Sequence, residues 1–144
     1  MRSVLNWKSS NLKYQRRFQD FFDQAEDVLA GKEHQLRLAL TCFLGQGHLL
    51  IEDLPGMGKT TLVMAMSKLL GLSLSRIQFT NDLLPSDIIG ASIYNSETSS
   101  FDFKQGPIFG EMILGDELNR GTPKTQSAFL QAMEEQKVTV DGVD

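Results

Sequence analysis

The chain has 144 residues, of which 41% are hydrophobic, and a formal net charge of −4. That length suits one compact soluble core, and the acidic balance argues against an obligate nucleic-acid partner. A single cysteine, Cys42, excludes an internal disulfide and a cysteine-rich zinc site. No run approaches the roughly 18 apolar residues of a membrane-spanning helix, so a cytoplasmic compartment is the default expectation.

The first segment, MRSVLNWKSSNLKYQRRF, is basic and has no acid before Asp20, and it reads as a solvated amphipathic leader. Phe18, Phe21, Phe22, Ala25, Val28 and Leu29 recur at helical spacing and predict one helix over about 11–30. Gly31 breaks it. Leu36, Leu38, Ala39, Leu40, Phe43 and Leu44 then predict a second, more buried helix that carries Cys42 as a core thiol. Gly45 and Gly47 close that helix. His34 reads as a helix-surface residue and His48 as a structural one, since neither has neighbouring metal-ligand types.

Residues 48–61, HLLIEDLPGMGKTT, carry the chemistry. Leu49, Leu50 and Ile51 predict a short buried strand. Pro55, Gly56 and Gly58 bar regular structure and let the backbone approach a ligand. Lys59, Thr60 and Thr61 open a helix whose buried stripe is Leu62, Ala65, Met66, Leu69 and Leu70. A glycine loop leading into a helix directs backbone N–H groups and the positive end of the helix dipole at phosphate oxygens. In this pattern Lys59 reaches the β and γ phosphates and the Thr60 hydroxyl ligates Mg²⁺. The first glycine of the usual pattern is replaced by Asp53. Gly-Lys-Thr alone is equally compatible with an ordinary helix start, but a strand before it and a helix after it favour the phosphate loop.

LSLSRIQFT reads as the next strand and NDLLPSDIIG as an irregular stretch broken by Pro85 and Gly90. Leu83 and Leu84 are odd there, and either a buried lid or an interface contact accounts for them. Residues 91–105 predict two short strands joined by the polar turn SETSS. After GPIFGE, a short helix or loop, residues 112–117 (MILGDE) predict an apolar strand ending in two carboxylates. Such a pair is often only a solvated turn. Following a phosphate loop, it reads as the hydrolytic half of the same site. Asp116 would hold Mg²⁺ directly or through water, and Glu117 would orient and deprotonate the attacking water. Alternation along the strand predicts that their side chains point to opposite sides. Thr122 caps the last helix, Pro123 occupies its first turn, and Ala128, Phe129, Ala132 and Met133 form its inner face. KVTVDG reads as a strand entering a turn. Strand–helix alternation predicts an α/β fold, a parallel sheet with helices on both faces.

The segments GHLLIEDLPGMGKT, RIQFTNDLLPSDIIG, FDFKQGPIFGEMILGDELNR and PKTQSAFLQAMEEQKVTVDG occur in this order. In them the chain resembles the MoxR family of AAA+ ATPases from about Val28 onward. The resemblance implies a P-loop NTPase core over 31–144 behind a leader over 1–30, with the phosphate loop at 53–61. It implies that Gly56, Met57, Gly58, Lys59, Thr60 and Thr61 cradle ATP. It also implies that Asp116 serves Mg²⁺ and that Glu117, with Lys59, is catalytic. Residues 91–105 resemble a hairpin inserted in the second helix and facing the pore of a ring, and 137–144 the first arm of a pre-sensor hairpin. Asn81 departs from the usual proline and Lys32 from the usual glutamine near the adenine.

In the family a sensor strand, an arginine finger and a helical lid follow the segment matched here. The 144 residues alone are therefore expected to bind nucleotide weakly and to be inactive. Full proteins of this kind form hexamers, remodel or mature other proteins, and often work with von Willebrand A domain partners. A catalytically silent nucleotide-binding module is the competing expectation, and a small-molecule or nucleotide kinase sharing the phosphate loop is another.

Overall fold

The computed structural model describes residues 16–25, 29, 31–52, 58–138 and 140. The chain divides into two compact units, 1–71 and 72–144.

In the first unit, residues 16–25 are helical (α1) and are followed by α2 (Glu33–Leu44) and α3 (Lys59–Leu70). Phe21, Ala25 and Leu29 are buried at the spacing expected of the aromatic stripe, whereas Phe18 is exposed. Arg37 lies over the Phe22 ring at 4.2 Å and pairs with Glu33 one turn earlier. On α2 only Leu36, Ala39 and Leu40 are buried. Leu38 is exposed because 3.6 residues per turn carries it off the buried face, and Leu44, the last residue of the helix, is exposed as well. Cys42 is half-buried and not a core thiol. The expected strand over Leu49–Ile51 does not form: residues 47–52 have no regular secondary structure, and Leu50 is 79% exposed. A strand exists only through the ladder it shares with a neighbour, and no ladder involves these residues.

The second unit is built on β1 (Leu74–Gln78) and β4 (Met112–Asp116), which pair in parallel with Leu74 opposite Met112 and Gln78 opposite Asp116. The Phe79 amide continues the ladder to the Asp116 carbonyl at 2.9 Å. Between them lie α4 (Pro85–Ile89) and an antiparallel hairpin of β2 (Gly90–Asn95) and β3 (Ser100–Gln105). Short 3₁₀ turns at Pro107–Phe109 and Leu118–Arg120 flank β4, and α5 (Pro123–Glu135) follows. The 137–144 strand reading falls largely on residues outside those described.

Helix α4 corrects the irregular reading of 81–90. Proline breaks a helix interior but suits its first turn, and Pro85 stands there. The Asp87 carboxylate accepts from the Leu84 amide at 2.8 Å, which ties the turn closed. Ile88 is thereby buried with Ile77, Phe79 and Phe129, and Leu83 packs against this cluster. Phe79 and Phe129 meet edge to face at 5.2 Å. A Cβ at position 115 would stand 3.0 Å from the Phe129 ring, so Gly115 lets α5 close onto β4 one residue before Asp116. Thr125 is fully buried and donates to the Leu83 carbonyl at 2.7 Å. This packing holds the acidic end of β4 against α5.

Glu111 joins the starts of the two strands by accepting from the Ser73 amide at 2.8 Å and its hydroxyl at 2.7 Å. These bonds, the backbone one first, hold its carboxyl below the ordinary glutamate value of 4.5. Lowered in the folded state, the group stabilises the fold above that ordinary value and loses this contribution as pH falls through its folded value. Glu111→Gln should therefore be less stable than the parent near neutral pH, with the difference shrinking in acid. Chemical denaturation at a series of pH values checks this, and a difference independent of pH would refute it.

Candidate nucleotide site

Among the described residues no side chain caps the start of helix α3. Its N-cap is Gly58, in the left-handed region at φ 79°, and no acid lies in its first turn. Helix α5 differs, since Thr122 Oγ1 accepts there from the Thr125 amide at 3.3 Å. A helix leaves its first N–H groups without intrahelical partners, and acids or anions favour that end. The α3 start therefore has the chemistry to receive an anion. Lys59, Thr60 and Thr61 are the first three helical residues, with Lys59 and Thr60 half-buried and Thr61 exposed. A side chain at position 58 would also approach the Lys32 ammonium, at 3.4 Å from the Cβ. Gly56 and Met57 lie outside the described residues.

In the second unit the two acids occupy different backbone settings. Asp116 is the last residue of β4, and its Oδ2 accepts from Arg76 Nη2 at 2.7 Å. Glu117 has left the strand. At φ 54° and ψ 43° it is left-handed, a costly conformation for a residue with a Cβ, and it caps the turn Leu118–Arg120. Its Oε2 accepts from Arg120 Nη1 at 2.8 Å. Alternation predicts opposite sides for two neighbours in one strand, but Glu117 has left the strand, and each acid accepts from a different arginine. The predicted strand 112–117 accordingly ends one residue early.

Arg76 and Arg120 were absent from the expected site. The cue for Arg76 was polar alternation in Arg76-Ile77-Gln78, but only the register shows which acid lies on its face. The residues suit a magnesium ion: Asp116 offers hard oxygen atoms at a partly exposed strand end. Among the described residues no group of three or more His, Cys, Asp or Glu side chains could cage a metal. Magnesium is typically held by one or two carboxylates with phosphates and water, so a single acid such as Asp116 is chemically adequate as a carboxylate contribution.

Residues 48–144 match the profile of the ATPase family associated with various cellular activities (AAA). The chain is also 39% identical over 119 residues to chaperone MoxR1 of Mycobacterium tuberculosis, covering 83% of this chain and 32% of that protein. The chain belongs to the MoxR family of AAA+ ATPases. Another relative, protein MoxR of Paracoccus denitrificans, is 34% identical over 85% of this chain and 38% of its own length. An uncharacterized Bacillus subtilis protein, YeaC, is 55% identical over 80% of this chain and 36% of its own length. A crystal structure of a Cytophaga hutchinsonii protein, proposed to be an ATPase, superposes with a TM-score of 0.80 at 36% identity. That match covers 98% of this chain and 43% of the other. The matched segment thus spans about a third of each curated MoxR relative's length. The family has the AAA+ P-loop fold that the resemblance implies, within the α/β class expected from strand–helix alternation. Among the described residues, no helix is long and apolar enough to cross a membrane.

Proposed function

We propose that this chain binds ATP and supplies the residues for its magnesium-dependent hydrolysis in a MoxR-type ring. The start of α3 carries the reading: a left-handed glycine runs into a helix opened by Lys59 and Thr60, with no cap from the described side chains. In this reading the backbone of 56–61 cradles the phosphates, Lys59 contacts the β and γ groups, and the Thr60 hydroxyl offers an oxygen to the metal. Asp116 contributes the metal carboxylate. Bound magnesium would neutralise charge on the β and γ phosphate oxygens. Glu117 accepts the proton of the attacking water, and Arg120 holds its other oxygen so that the carboxylate keeps one orientation. The work driven by hydrolysis is chaperone-like remodelling or maturation of a partner protein. The name of the Mycobacterium relative supports this, a hexameric ring is the proposed assembly, and a von Willebrand A domain protein is the partner class.

Lys59→Ala in the full-length protein tests the ATP site. The substitution removes a charge-assisted contact of about 1.5–3 kcal/mol, which lowers affinity at least about tenfold. Titration of a fluorescent ATP analogue reads this out, and equal dissociation constants would reject the phosphate-loop assignment.

A further inference from the structure

Arg76 has no part in the reaction outlined above, yet it holds one of its carboxylates. Residues 76 and 78 of β1 and 114 and 116 of β4 share one face of the parallel pair, since side chains alternate along each strand. On that face a single nitrogen of Arg76, Nη2, donates both to Asp116 Oδ2 at 2.7 Å and to Gln78 Oε1 at 2.9 Å. The guanidinium thus meets the carboxylate through one nitrogen and one oxygen, without the parallel double contact that makes arginine–carboxylate pairs strong. The pair is also open to solvent, with side chains 53% and 34% exposed, where ion pairs add little stability. It is present but easily exchanged.

A divalent cation approaching Asp116 would meet a fixed positive charge already in contact with Oδ2. Both oppose the metal, the first by repulsion and the second by occupying an acceptor. We propose that Arg76 competes with the divalent cation for Asp116 and so sets the magnesium concentration at which nucleotide is loaded. Arg76 holds the carboxylate in the metal-free state and releases it when metal arrives with the phosphates. The inference rests on the reading of Asp116 as the metal carboxylate. A purely orienting role for Arg76 has the opposite sign, because losing an orienting contact would weaken metal loading.

The test titrates Mg²⁺ against a fluorescent ATP analogue in the full-length protein and reads the midpoint for binding, not turnover. Arg76→Gln should lower that midpoint by about two- to fivefold, the range expected of an exposed ion pair. Arg76→Met, neutral and without a donor, should shift it the same way, whereas Arg76→Lys, which keeps the charge, should restore most of the parental value. Asp116→Asn should raise the midpoint, and Arg76→Gln should have no further effect in that background. If Asp116→Asn raises the midpoint while both neutral Arg76 variants leave it unchanged or raise it, the metal role stands and the competition is overturned. If Asp116→Asn leaves the midpoint unchanged, the metal assignment itself fails and the competition fails with it.

Discussion

Glu117→Gln in the full-length protein is expected to keep Mg-ATP binding and to lower turnover at least about a hundredfold. A positioned general base contributes about 10²–10⁴ in rate, and the amide cannot accept the water's proton. Two observations single out Glu117 over its neighbour. Asp116 stays in the ladder with Gln78, while Glu117 is turned out of the strand into the left-handed region. Among the described residues the other non-glycine ones there, Gln46, Ser99 and Gln136, follow a helix end or occupy the hairpin turn, where such geometry is ordinary. Glu117 directly follows a strand and carries the charge the proposed chemistry needs. Strain of about 1–3 kcal/mol persists only where surrounding structure enforces it, and here the Leu118–Arg120 turn and the Arg120 bond do so. Single-turnover phosphate release measured beside analogue binding separates chemistry from affinity. Parental turnover with glutamine at 117 would remove the base assignment. A parallel loss of binding would mean that Glu117 contributes to the ground state.

Much of this architecture was legible because local chemistry and tertiary structure agree. The 91–105 hairpin, the Thr122–Pro123 helix start and the helix after Gly58 form as their patterns predict, and the 112–117 strand forms but stops at Asp116, one residue short. Failures occur where a partner distant in sequence decides. Leu49–Ile51 is as apolar as a buried strand, but apolarity does not supply a ladder, and Leu50 is exposed. Pro85 is the local exception: its residue type reads as a breaker, whereas the Asp87–Leu84 bond, only three positions long, makes it a helix start. Thr125 is fully buried because the Leu83 carbonyl, 42 positions away, satisfies its hydroxyl, a partner that no local pattern supplies. Arg76 is the same kind of case, since its partner follows from strand register and not from spacing. The residue types of the candidate site were readable, whereas the arginines that hold its acids were not.

Gly90→Ala should destabilise the second unit by about 3 kcal/mol or more, because two costs add. Gly90 ends α4 and starts β2 at φ 105° and ψ 178°, a region essentially restricted to glycine. A Cβ there would also lie 2.2 Å from the Lys104 carbonyl oxygen and 2.7 Å from the Gly106 nitrogen. These atoms belong to the backbone of the paired strand and its continuation, so no rotamer change relieves the clash. Gly106 faces the same restriction from the other side: its own Cβ would lie 2.3 Å from the Ile88 carbonyl oxygen. The two glycines let the base of the hairpin cross the end of α4 in backbone contact, with the Gly106 amide donating to the Ile89 carbonyl at 3.0 Å. Forcing them apart moves Ile88, which is fully buried in the cluster that holds β4. Gly71→Ala is the informative control: its φ of 69° carries the left-handed cost, but no atom of the described residues lies within 4 Å of the added carbon. That variant should lose only about 1–2 kcal/mol. Urea unfolding of both variants, with intact hairpin and β1–β4 packing followed by amide hydrogen exchange, gives the comparison. If Gly90→Ala cost no more than Gly71→Ala, the hairpin base would be free to open, and the close backbone crossing would not be what anchors it.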